Sequence, residues 1–131
     1  RTAAYALAQG ARRRLPWVGK PPRLEDAVVL HGGSAWWLGS RYRRGFTRLV
    51  NDCYLERAFG DCYGFSWLFN GQADAMCEYG VKVWDVAPFG ALAHATGRVL
   101  VDCSNRPCIT GPEAILAHPS LARAIVRTLS E

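Results

Sequence analysis

The chain has 131 residues, of which 50% are apolar and 21% charged, so it holds one domain at most, with enough material for a real core. No apolar stretch approaches the roughly 20 residues that cross a bilayer, and no signal-peptide pattern opens it. The net charge of +5 gathers in Arg12-Arg13-Arg14 and in Arg41, Arg43, Arg44 and Arg48. No RNA- or DNA-binding signature accompanies these arginines, so the expectation is a solvated basic face without a nucleic-acid partner.

In chain order, Thr2 to Gly10 reads as a strand leaving a sheet edge, and Leu15 to Pro22, with three prolines and Gly19, as a connecting loop. Ala27 to Leu30 is a compact apolar run of strand type, stopped by Gly32-Gly33. Trp36 and Trp37 are expected to be packing residues in preference to a stacking platform, just ahead of an amphipathic helix over Ser40 to Val50, whose arginines fill the outer face.

The stretch from Gly60 to Pro88, GDCYGFSWLFNGQADAMCEYGVKVWDVAP, is the part built for chemistry. Asp61 is placed to cap a helix that Asn70-Gly71 closes. Ala73 to Tyr79 suits a short buried strand released by Gly80, and Asp85 opens the next helix with Pro88 in its first turn. That helix turns Val86, Phe89, Leu92 and Ala93 to one side and ends at Gly97. Val99 to Val101 is a short strand, Asp102 to Pro112 a polar loop, and Ile115 to Ala117 the last strand. A terminal helix from Pro119 carries the stripe Leu121, Ile125 and Leu129. Strands alternating with helices predict an α/β fold, a mixed and mostly parallel sheet flanked by helices.

The five cysteines are odd in number and form no Cys-x-x-Cys pair. Cys62 and Cys77 are expected on apolar faces, zinc is not expected, and a reducing intracellular compartment follows. No His-x-x-x-His pair, phosphate-cradling Gly-Lys loop or dinucleotide fingerprint is present. Glu78, at a strand's end, and Asp85, at a helix start, remain. Both can point into the crevice at a sheet's carboxyl edge, where open α/β folds collect ligands. Carboxylates there suit Mg²⁺, which takes one or two of them plus substrate phosphate, but Asp85 as a helix cap and Glu78 as a surface charge satisfy the same spacing.

The ordered set Gly60-Asp61, Glu78-Tyr79-Gly80 and Trp84-Asp85-Val86-Ala87 resembles the C-terminal half of the inositol monophosphatase superfamily. Its Gly-Asp-Cys-Tyr-Gly opening looks most like the histidinol-phosphate phosphatase branch. The resemblance extends more weakly from Thr2 to Leu129. It implies the C-terminal half of an αβαβα fold, with Asp85 as a ligand of catalytic Mg²⁺ and Glu78, Asp61 and Gly60 at the substrate. The implied activity is Mg²⁺-dependent hydrolysis of a small phosphorylated alcohol of the histidinol phosphate or inositol phosphate type.

The sequence departs from the family in two places. Relatives follow Trp-Asp with Ala-Ala and finish that helix with Glu-Ala-Gly-Gly; here Ala87-Pro88 and His94-Ala95-Thr96-Gly97-Arg98 stand there. The family's upstream Glu and its Asp-Pro-x-Asp-Gly-Thr motif, which carry the other metal ligands, are absent from these residues. The expectation is a single half-domain over residues 1–131 that holds Mg²⁺ only in a site completed by an N-terminal half or a partner chain. An opening at Arg1 instead of Met points the same way, to a fragment, a processed chain or part of a larger protein, and to an oligomer or complex subunit. The alternative is a non-catalytic structural subunit descended from that half-domain.

Overall fold

A computed structural model of the chain describes residues 2–131. It opens with a hairpin, β1 (Tyr5–Ala8) antiparallel to β2 (Ala11–Arg14). Gln9 and Gly10 between them both have positive φ, 50° and 78°, as a two-residue primed turn requires. The predicted edge strand therefore pairs with the arginine run and stays off the main sheet. Glutamine is an unusual residue for that turn, which is why the sequence pattern hid it.

The main sheet comprises β3 (Val28–His31), β4 (Leu55–Arg57), β5 (Ala75–Tyr79), β6 (Val99–Val101) and β7 (Glu113–Ala117). Their order is β4-β3-β5-β7-β6. β3 pairs in parallel with both β4 and β5, whereas β7 runs antiparallel to β5 and to β6. Four strands thus point one way and only β7 opposes them, so the sheet is mixed and mostly parallel. Short β4, with the polar Glu56 and Arg57, carries too little apolar pattern to be read in advance.

Five helices cover the sheet: α1 (Ser34–Leu38), α2 (Arg43–Asp52), α3 (Asp61–Phe69), α4 (Val83–Ala95) and α5 (Pro119–Leu129). Side chains alternate along the strands and separate two cores. Val29, Ala75, Cys77, Ile115 and Ala117 face Trp37, Phe46 and Leu49 with Leu121, Ile125 and Leu129 of α5. Leu30, Met76, Ala114 and Leu116 face Phe65, Leu68, Val86 and Ala93 of α3 and α4. Close approach in both layers depends on glycine. A Cβ on Gly45 would stand 2.2 Å from the Leu129 carbonyl oxygen, and one on Gly64 1.9 Å from that of Phe59.

Several local expectations shift. Trp36 lies inside α1 and is 63% exposed, while Trp37 is fully buried and stacks on Phe46 at 5.4 Å. Cys62 is exposed, because the apolar side of α3 uses Phe65, Leu68 and Phe69 instead; all five cysteines are free thiols. Pro88 sits well inside α4, past the first turn. The helix tolerates it because the carbonyl that loses its partner there belongs to Trp84, on an exposed turn that water can reach. The altered end of α4 packs by its own means. Gly97 adopts φ 76°, the Thr96 hydroxyl donates to the Leu92 carbonyl at 2.8 Å, and the buried Arg98 guanidinium donates to the Leu68 carbonyl of α3 at 3.2 Å.

Candidate active site

Glu78 follows Met76 on the same face of β5, so the alternation that buries Met76 against α3 also directs the Glu78 carboxylate toward that helix's start. Glu78 is 6% exposed. Its Oε1 accepts a hydrogen bond from the Asp61 N–H at 3.2 Å. Oε2 lies over Gly32, where an added Cβ would stand 1.7 Å away; a Cβ on Gly60 would be 3.8 Å from Oε1. Gly32 follows β3, Gly60 precedes α3, and Glu78 is near the end of β5. The three segments meet at the carboxyl ends of parallel strands, as the crevice rule requires.

Asp61 does not cap α3 with its side chain. Gly60 is the N-cap, Asp61 takes φ 57°, and its contribution to Glu78 is its backbone N–H. Asp85 is not the residue that opens α4 either. Lys82 is the N-cap, and Asp85, three residues on, accepts the Lys82 N–H on Oδ2 at 2.8 Å. That return bond occupies one lone-pair direction of one oxygen, on an exposed side chain. Asp85 thus combines the structural role that its spacing allowed with a position near Glu78.

Burial pushes Glu78 up to about 7 from its ordinary 4.5, and the negative charges of Asp61 and Asp85 push the same way; the Asp61 N–H and His31 oppose them. Glu78, Asp61, Asp85 and His31 thus share one electrostatic neighbourhood. His31, buried at the end of β3, faces the opposite layer. Its Nδ1 is 2.6 Å from the Gly32 carbonyl oxygen and its Nε2 2.7 Å from Glu56 Oε2. Both ring nitrogens are tied to the strand ends, and the Phe46 ring meets the imidazole edge-on at 5.1 Å.

Grooves lie elsewhere: about 540 Å³ between residues 21–25 and α5, about 450 Å³ along α2, and about 440 Å³ between α4, β6 and the 107–109 loop. None of them includes Glu78, Asp61 or Asp85, an acidic ledge of one buried and two exposed carboxylates. Asp85 offers the hard oxygen donor that Mg²⁺ takes, but among the described residues no group of three or more His, Cys, Asp or Glu is placed to hold a metal. The residues present do not make a metal centre by themselves. Such a centre would need donors from outside them.

No family model matches the chain. Over 109 residues it is 26% identical to a histidinol-phosphatase of Mycobacterium tuberculosis, covering 83% of this chain and 41% of that protein. A histidinol-phosphatase of Streptomyces coelicolor is 24% identical over 106 residues, covering 81% and 39%. Among solved structures, an inositol monophosphatase from Zymomonas mobilis superposes with a TM-score of 0.75 at 22% identity, over 88% of this chain and 47% of that one. One from Anabaena (Nostoc) gives 0.76 at 19% identity, over 92% and 50%. The chain has the inositol monophosphatase-like fold. It spans about two fifths to half the length of these proteins, and its curated relatives are phosphatases.

Gly60, Asp61, Glu78 and Asp85 of this phosphatase-like chain therefore gather at one edge. Gly32, His31 and Trp36 join them from the β3 side. The tandem glycine that ends β3 was the available signal for Gly32, since a glycine pair at the end of a buried strand marks a close approach.

Proposed function

We propose that this chain supplies the substrate-gripping edge of a Mg²⁺-dependent phosphomonoesterase. Its substrate is a small phosphorylated alcohol of the histidinol phosphate or inositol phosphate type. The observation that carries the reading is the Glu78 carboxylate, seated over Gly32 and bonded by the Asp61 N–H, with Asp85 at the same strand ends. The relatives' phosphatase names and the shared fold support it.

The chain corresponds to the C-terminal half of the family fold, and the other metal donors come from an N-terminal half or a partner chain. Asp85 would offer such an ion one oxygen, since Lys82 holds only the other. When bound, Mg²⁺ would neutralise phosphate charge and polarise the bond to be cleaved. Glu78 orients the alcohol portion. Its burial keeps the carboxyl half-protonated near neutral pH, so it can both accept from and donate to a hydroxyl or amine. The Asp61 N–H holds Glu78 in that pose, and Gly60 and Gly32 keep the space clear.

The test is phosphate release by the protein in its native full-length form, with and without Mg²⁺. Asp85→Asn is expected to slow Mg²⁺-dependent release roughly 100-fold, because a charged ligand of the ion is lost while the capping bond is kept. Unchanged release in that variant would remove Asp85 from the metal site, whereas no Mg²⁺-dependent release from the native protein would leave the chain a non-catalytic, structural role.

A further inference from the structure

Trp36 combines rigid seating with exposure, and it does so beside Glu78. Its indole rests on two glycine backbones. A Cβ on Gly80 would stand 3.0 Å from Cε3 and 3.2 Å from Cδ2, and one on Gly33 would stand 3.1 Å from Cδ1. Gly33 directly follows Gly32, over which the Glu78 carboxylate lies, and Gly80 is two residues beyond Glu78. The ring therefore spans the ends of β3 and β5 that carry the acidic ledge.

That seat is held firmly. The Gly80 and Val81 N–H groups both donate to the Pro112 carbonyl, at 2.8 and 3.2 Å, and Gly80 takes φ 83°. Yet Trp36 is 63% exposed, while its neighbour Trp37 is wholly buried among Phe46, Tyr42 and Tyr79. Exposure alone does not leave an aromatic ring open. Tyr63, for example, is packed against Phe59 and Trp67, at ring distances of 5.4 and 6.1 Å. Trp36 has glycine beneath it and offers an open ring, which is what a stacking partner needs.

We infer that Trp36 is a specificity-determining wall of this site, which stacks a flat, heteroaromatic ring on the alcohol whose polar groups Glu78 holds. The inference rests on the proposed function and deepens it, since it favours ring-bearing alcohols such as an imidazole-carrying amino alcohol over aliphatic polyols. A protonated imidazole adds cation–π attraction to the stack. Trp36 touches the ring and takes no part in the bond change.

The experiment uses the native full-length protein with Mg²⁺ and two probes, L-histidinol phosphate and glycerol 2-phosphate. Trp36→Ala is expected to raise KM for the ring-bearing probe about ten-fold, about 1.4 kcal/mol, with kcat nearly unchanged. KM for glycerol 2-phosphate should stay within two-fold of wild type, roughly 0.4 kcal/mol. Trp36→Phe should restore most of the difference. Equal losses on both probes, or no loss on either, overturn the inference and leave the phosphatase reading untouched.

A second readout needs no turnover. L-histidinol, titrated into ¹⁵N-labelled protein, should move the indole N–H resonance assigned to Trp36 by its loss in Trp36→Phe; glycerol should not move it. A static indole resonance overturns the inference. A moving one with no phosphate release from either probe sustains the ring site and rejects the phosphatase reading.

Discussion

On one face of the sheet, α2 and α5 turn Phe46, Leu49, Ile125 and Leu129 inward and leave Arg43, Arg44, Arg48 and Arg123 in water. On the other face, α3 and α4 are apolar nearly all round and leave Tyr63, Val83 and Trp84 exposed. The first layer is an ordinary core-facing pair of helices, sealed by the Gly45–Leu129 approach. The second layer packs less of its apolar surface and brings its helix starts to the strand ends, where Glu78 is buried. One layer supplies stability and the other geometry, so substitutions in the two should fail in different ways.

The largest effect on stability is expected in the first layer. Ile125→Ala removes a fully buried side chain between α5 and the sheet and should cost about 3 kcal/mol, read as a lowered urea midpoint. Residual release per folded molecule should be nearly normal. Gly32→Ala is the converse case. Its Cβ must displace the Glu78 carboxylate, so release should fall roughly ten-fold, about 1.4 kcal/mol of transition-state binding, with a smaller loss of stability. Equal stability losses in the two variants would erase the distinction between the layers.

The smallest effect sharpens it. Burial raises Glu78 to about 7, so the folded state binds this proton more tightly than the unfolded chain does. The stabilisation from that proton is complete below about 4.5 and is lost as pH rises through 7. Glu78→Gln keeps the shape and removes the ionisation. It should gain roughly 1 kcal/mol over wild type at pH 8, a Tm higher by about 4 °C, and the gain should vanish near pH 4. A pH-independent difference would show that Glu78 is not the buried acid of this edge.

Much of the framework was legible in the chain. The stripe Leu121, Ile125 and Leu129 announced α5, and the Gly80 and Gly97 breaks fell where β5 and α4 end. Glu78 and Asp85 were legible through their spacing about Gly80, and the motif resemblance pointed to the same pair. Asp61 was expected to cap α3 with its side chain; Gly60 holds that position instead, and Asp61 donates its N–H to Glu78. Cys62 and Trp36 were assigned to packing because both sit in apolar runs, and both turn outward.

By itself the sequence determined the periodic elements and the chemical types available at the strand ends, because apolar spacing states which side of each segment must leave water. Tertiary structure alone decided that Gly32 lies beneath Glu78, that β1 pairs with the arginine strand β2, and that Trp36 stands over Gly33 and Gly80. The first and last of these set a side chain on a glycine backbone, and the second pairs two backbones. Their closeness depends on how strands register and helices cross, which no local pattern of side chains records.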